Sequence, residues 1–197
     1  MVIIVMYVDD LIITHNNNDH ILKVNKELQA GFKMTDLGLL HYYLGVEVFQ
    51  HPNHIFICQR KYASEILQIS RMQDYKFVLT PIEQKFKVSK FKEGELVRST
   101  SYRQLIGNLI YLTTTRQDLS YTVSIISRFM HEPRDNNWNA AKRILRYIQG
   151  TKDFGLIYKE TKNFVLGGYL DAYFAGSIDD RASTLGYLMS MGSTTVS

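Results

Sequence analysis

The chain has 197 residues, enough for one sizeable core or two small domains, and 45% hydrophobic with 21% charged residues excludes a disordered segment. A net charge of +4 with a pI near 9.0 favours polyanionic partners only modestly. The single cysteine, Cys58, excludes an internal disulfide and a cysteine metal cluster and suits a reducing compartment.

The histidines at 15, 20, 41, 51, 54 and 131 show no second-ligand pattern, and His51 and His54 merely bracket Pro52-Asn53. The apolar N-terminus lacks a basic region and meets Asp9-Asp10 after too few residues for a signal peptide or a span. A soluble, intracellular chain with no membrane contact is expected.

Taken in order, Val2 to Met6 and Leu11 to Thr14 are short β-branched runs flanking Asp9-Asp10. Runs this short, broken by residues that tolerate turn angles, predict two strands joined by a tight turn, with the carboxylates at its tip. From periodicity alone such a corner is more often just solvated. Adjacent carboxylates on a rigid hairpin are also part of the oxygen shell that a hard divalent cation takes in phosphoryl-transfer sites.

Asn16-Asn17-Asn18-Asp19 offers an N-cap, and Ile21, Val24 and Leu28 recur at helical spacing until Gly31. Asp36-Leu37-Gly38 turns the chain into a strand over 44–49, which is expected to pair with 55–59 across His51-Pro52-Asn53-His54. Residues 61–70 predict a helix with Tyr62, Ile66 and Ile69 on one side. The stretch 73–100, with Thr80-Pro81 and Lys85, Lys87, Lys90 and Lys92, reads as an exposed linker.

Three helices are then expected. Their stripes are Tyr102, Leu105, Leu109 and Leu112; Leu119, Val123, Ile126 and Met130 behind the cap candidate Asp118; and Trp138, Ala141, Leu145 and Ile148, entered through Pro133 and Asp135 and closed by Gly150. On the third, Lys142, Arg143 and Arg146 share a face, which suits either a phosphate backbone or plain solvation. From Phe154 the pattern returns to strands over 154–158, 165–172 and 185–191. The fold class is therefore α+β.

The string Tyr7-Val8-Asp9-Asp10 within its double hydrophobic run resembles the Tyr-x-Asp-Asp signature of reverse transcriptases. The resemblance continues in order through Thr35-Asp36-Leu37-Gly38, Tyr42-Tyr43-Leu44-Gly45-Val46-Glu47, Gln59-Arg60-Lys61-Tyr62, Tyr102-Arg103-Gln104-Leu105-Ile106-Gly107, Leu109-Ile110-Tyr111-Leu112, the run from Arg143 to Thr151, and Asp179-Asp180-Arg181. Together these resemble the Pol polyprotein of Ty1/copia-type retrotransposons, across essentially the whole chain. The resemblance implies a partial polymerase palm over 1–72 with a primer-grip-like second hairpin, a linker over 73–100, a thumb-like helical subdomain over 101–152 and the start of an RNase H-like sheet over 153–197. It implies Asp9 and Asp10 as catalytic, metal-holding residues for Mg²⁺ or Mn²⁺, Asp171 as the first RNase H carboxylate, and Tyr7, Lys142, Arg143 and Arg146 as nucleic-acid contacts. The implied partner is an RNA/DNA template-primer duplex, together with the N-terminal part of the polymerase.

The family's Ser-Asp-Ala-Asp-Trp-Ala-Gly is here Leu170-Asp171-Ala172-Tyr173-Phe174-Ala175-Gly176, with Tyr173 in place of the second acid. One carboxylate cannot hold the two metal ions of RNase H chemistry, so no such activity is expected. Family members also use an Asp on an earlier strand, so this chain alone is expected to bind metal weakly and not to polymerise, with Ile3, Val5 and Ile12 poorly buried. The competing reading is a non-catalytic nucleic-acid-binding relic, and a third is a pseudogene product without function.

Overall fold

The computed structural model describes residues 2–83, 94–161, 165–173, 184–192, 194 and 195, with 171–173 and 184–186 described by their backbone. Asp179, Asp180, Arg181 and the lysines at 85, 87, 90 and 92 lie outside the described residues. The architecture is mixed α+β, with five helices among the described residues and antiparallel sheets, and the chain divides into two compact units, Met1–His41 and Tyr42–Ser197.

In the first unit, β1 (Ile3–Tyr7) and β2 (Asp10–Thr14) form an antiparallel ribbon in register from Ile3↔Thr14 to Tyr7↔Asp10. A two-stranded ribbon covers neither face fully, so Ile3 and Val5 stay about half exposed and Ile12 half-buried. Helix α1 (Asn18–Gly31) starts where the Asn cluster predicts, the Asn17 side chain accepting from the Asp19 N–H at 2.7 Å. Ile21, Val24 and Leu28 form its half-buried stripe. Asp36 accepts from the Gly38 N–H and from Asn25 Nδ2, both at 2.8 Å, which ties the following turn back to the helix.

The second unit opens with a four-stranded sheet in the order β3 (Tyr42–Tyr43), β4 (Val46–His51), β5 (His54–Cys58) and β6 (Gly155–Lys159). Leu44 is not a strand residue, contrary to the sequence expectation. Leu44 (φ 47°) and Gly45 (φ 77°) form a two-residue hairpin loop of the kind that requires positive φ at both positions. The Tyr111 hydroxyl donates to the Leu44 carbonyl, and a Cβ on Gly45 would meet that hydroxyl at 2.7 Å. The β4–β5 hairpin turns at Pro52-Asn53 as read from the sequence. Strand β6 pairs along all of β5, from His54↔Lys159 to Cys58↔Gly155, so one sheet joins segments on either side of the boundary drawn at 152/153.

Helix α2 (Arg60–Ile69) follows β5, and Glu47 of β4 accepts from the Lys61 N–H at 2.8 Å, a carboxylate against a helix N-terminus. Its buried face is Ala63, Ile66 and Leu67, with Tyr62 half-buried; Ile69 is 70% exposed, since it lies round the helix from that face. Helices α3 (Ser99–Leu112), α4 (Gln117–Ser127) and α5 (Asp135–Gly150) share one core with α2. The predicted stripes of α3 and α5 are buried, with Trp138 half-buried; that of α4 ends at Ile126, leaving Met130 half-buried beyond the helix. The Tyr102 hydroxyl donates to the Ile126 carbonyl at 2.8 Å, and burial raises its pKa.

Asp118 does not cap α4. It lies in the first turn and holds Arg116, which is 2% exposed, through two hydrogen bonds at 2.9 and 2.7 Å. Arg116 also donates to the Thr151 carbonyl and hydroxyl, each at 2.8 Å, and Tyr147 donates to Asp118 at 2.9 Å. The guanidinium sits 5.6 Å from the Tyr147 ring centroid and 5.4 Å from that of Phe154.

The stretch 73–83 is exposed in Tyr75, Phe77 and Leu79, as a linker would be, yet it is fastened to α5. Gln149 Nε2 donates to the Gln73 carbonyl at 2.6 Å, Arg146 Nε to the Lys76 carbonyl at 2.8 Å, and the Val78 N–H to the Arg146 carbonyl at 3.4 Å. The last sheet has the order β7 (Leu166–Tyr173), β8 (Thr184–Met191) and β9 (Thr194–Thr195), and Thr194 donates to the Ile157 carbonyl of β6. Strands β7 and β8 match those read from the sequence to within a residue at each end, whereas the short β9 is not among them.

Removing Arg116 leaves a carboxylate that is a third exposed, so Arg116→Ala should cost about 2–3 kcal/mol in urea unfolding of the chain, below the range for fully buried pairs. Burial pushes the Asp118 carboxyl up, but hydrogen bonding to Arg116, its charge and the Tyr147 hydroxyl together hold it below the ordinary value of 3.8. A lowered folded-state value means stability that is present above that pH and is lost as pH falls through it. The stability difference between the wild type and Asp118→Asn should therefore shrink below about pH 4, as read by denaturant melts across the acid range.

Candidate active-site hairpin

The apolar runs bring the chain to a two-residue loop, Val8-Asp9, between Tyr7 and Asp10. Directly paired residues of an antiparallel ribbon share a face, so Tyr7 and Asp10 stand on the same side, with the Val5/Ile12 pair behind them. Asp9 sits in the loop itself. Tyr7 is 54% exposed, Val8 77%, and both acids are exposed. The loop is reached through positive φ at Val8 (52°), a conformation costly for a β-branched residue. On the other side of the ribbon exit, His15 Nδ1 accepts from the Asn17 N–H at 2.9 Å and its ring meets that of His20 edge-on at 4.6 Å, fixing the approach to α1.

Chemically, the corner presents two adjacent carboxylates to solvent on a short, hydrogen-bonded scaffold. Oxygen donors of this type suit a hard divalent cation, so the residues present fit part of an Mg²⁺ or Mn²⁺ shell. Among the described residues no third His, Cys, Asp or Glu gathers with them.

The other residues singled out by sequence lie in the second unit. Lys142 is exposed on α5, whereas Arg143 and Arg146 are half-buried and engaged: Arg143 donates to Thr80 Oγ1 at 3.1 Å and stands 3.4 Å from Glu83 Oε1, and Arg146 holds the Lys76 carbonyl. The three share a face, as their spacing implies, but that face is partly covered by 73–83 and is not simply solvated. Asp171 is on β7, opposite Gly186, with its side chain outside the described residues. Sequence reasoning missed the Arg116–Asp118–Tyr147–Thr151 network. The available signal is the Arg-x-Asp spacing of Arg116 and Asp118 ahead of an apolar stripe, of which the sequence reading takes up only Asp118, as a cap candidate.

The family model described as reverse transcriptase (RNA-dependent DNA polymerase) matches residues 1–84. Over 98% of its length the chain is 38% identical to the retrovirus-related Pol polyprotein from transposon RE2 of Arabidopsis thaliana, covering 13% of that polyprotein. Over 100% of its length it is 32% identical to the retrovirus-related Pol polyprotein from transposon TNT 1-94 of Nicotiana tabacum, covering 15% of it. It is also 34% identical, over 98% of its length and 80% of the relative's, to an uncharacterized mitochondrial protein of Arabidopsis thaliana. The chain thus spans only a small part of the polyproteins it matches. No solved structure matches it.

Glycine at position 8 removes the Cβ penalty of the left-handed conformation but adds backbone entropy to the unfolded chain. Val8→Gly should therefore stabilise the ribbon by about 0.5–1 kcal/mol, seen as slower amide hydrogen exchange across β1 and β2.

Proposed function

The chain belongs to the Ty1/copia-type retrotransposon Pol family, and from that premise we propose that its first hairpin is the metal-holding corner of an RNA-directed DNA polymerase, with Asp9 and Asp10 as the carboxylates. The observation that carries this reading is the exposed acidic pair at the tip of a paired ribbon, next to Tyr7 on the same side. When bound, Mg²⁺ or Mn²⁺ supplies charge neutralisation for attack of a primer 3′-hydroxyl on a nucleotide α-phosphate. The two acids bind and orient; Tyr7 offers its phenol face and hydroxyl to the nucleic acid alongside them.

The same reading makes 1–72 part of the palm, with the β4–β5 hairpin in the place of the primer grip, and 101–152 a thumb-like bundle against a template-primer duplex. A shared core for α3, α4 and α5 supports the bundle. Lys142 meets phosphate directly, whereas Arg143 and Arg146 must first release the groups they hold on 73–83. Asp171 at the far part of β7 takes the place of the first RNase H carboxylate, and one such group does not support ribonuclease chemistry. The N-terminal part of the polymerase is the partner this arrangement calls for.

With two gathered acids, the 197-residue polypeptide by itself binds divalent metal weakly and does not polymerise. Titration with Mn²⁺ should broaden the NMR resonances of Tyr7, Asp9 and Asp10 with a Kd near the weak end of oxygen-ligand sites, about 10⁻⁴–10⁻³ M or above. Asp9→Asn with Asp10→Asn should abolish the broadening. Broadening elsewhere, or none, overturns the assignment of the corner; primer extension on an RNA template by this polypeptide overturns its inactivity.

A further inference from the structure

We propose that the cavity between α5 and the segment 72–83 is a phosphomonoester site, and that a nucleotide phosphate takes the place of the Glu83 carboxylate on Arg143. The cavity holds about 460 Å³, within the size range of small-ligand sites, and mixes Tyr75 and Ile82 with Asn139, Lys142, Arg143 and Arg146.

Charge is the first argument. Among the described residues, three cations line the cavity and Glu83 is the single acid, so these side chains give it an excess of two positive charges with Glu83 in place and three without. A phosphomonoester brings about −1.5 to −2 and three acceptor oxygens, which matches that excess better than one carboxylate does. Geometry is the second. Glu83 stands 3.4 Å from Arg143, long for an ion pair, and its side chain is 66% exposed, so little holds it there. Among the described residues Arg143 Nε is buried with no partner and Lys142 has none, so donors remain unspent beside a weakly held anion. The third is the wall opposite. Tyr75 lines the cavity from the 72–83 side, is 56% exposed and offers an aromatic face that any base can stack on, while Asn139 adds an amide from the α5 side.

The inference deepens the phosphate-contact reading of Lys142, Arg143 and Arg146 and is independent of the acidic hairpin. The phosphate is that of a free mononucleotide or of a strand terminus, which share this chemistry.

Calorimetric titration of the full chain with AMP, inorganic phosphate, a 5′-phosphorylated single-stranded oligonucleotide and its unphosphorylated twin separates the sources. AMP should bind more tightly than inorganic phosphate. If the terminus is the source, the phosphorylated oligonucleotide should exceed both AMP and its twin. Glu83→Gln removes the competing anion and should tighten phosphate binding about 2–5-fold, the ratio equivalent of an exposed ion pair. Lys142→Gln should weaken it by a similar factor, and both residues are exposed enough for the variants to fold. Salt-sensitive binding of both oligonucleotides alike, reduced by Lys142→Gln and unchanged by Glu83→Gln, would overturn the cavity while leaving the backbone contact. No binding in any arm overturns both.

Discussion

A buried guanidinium fixes how the helical part of this chain closes. Arg116 is removed from water almost completely, and a charge so placed is tolerated only when its donors are met. Asp118 meets two of them, and Thr151 takes others through its carbonyl and hydroxyl. Because Asp118 belongs to the first turn of α4 and Thr151 follows the last turn of α5, satisfying one side chain sets the start of one helix against the end of another. The same point launches the chain through Phe154, whose ring lies over the guanidinium, into β6. A strand nearly a hundred residues downstream is thereby delivered to the edge of β5.

The sequence made the local elements legible where periodicity and turn chemistry agree. Asn17 capping α1, the stripes of α3 and α5, and the Pro52-Asn53 turn follow from spacing and residue type. Legibility failed where a tertiary partner decided the outcome. Leu44 is β-compatible by propensity, yet Gly45 and the Tyr111 hydroxyl make a hairpin loop of it. Ile69 fits a helical stripe, but the core approaches α2 from the side of Ala63, Ile66 and Leu67. The pairing of β6 with β5 is a long-range contact that no local pattern announces.

The functional residues divide in the same way. Asp9 and Asp10 were readable because a turn between two β-branched runs leaves few places for the acids to go. The cations of α5 were readable as a cluster but not in their engagement, since hydrogen bonds from Arg143 and Arg146 run to Thr80 and the Lys76 carbonyl, in a stretch with no periodicity of its own. The segment 73–83 therefore has two characters. Most of its side chains face water like a linker's, with Ile82 packed against the core, and its polar atoms hold a helix face. An element held by hydrogen bonds with little apolar burial sits at the low-stability end of a fold, where exchange of one partner for another is cheap.

At the acidic corner, energetics explain why exposure matters. Two carboxylates a few ångströms apart repel by about 1 kcal/mol in water and several-fold more in a low-dielectric interior. Solvation at a ribbon tip keeps that cost small while the side chains remain free to converge on a cation. The ribbon supplies what solvation cannot, namely a backbone whose register sets Tyr7 and Asp10 on one side and whose left-handed Val8 turns the chain in two residues. Consecutive side chains of an extended strand alternate faces, so it is the place of Asp9 in the loop that frees it from the side opposite Asp10. The two-residue turn leaves Asp9 in the loop and Asp10 at the head of β2, both open to solvent, and that joint exposure is the property on which any metal chemistry at this corner depends.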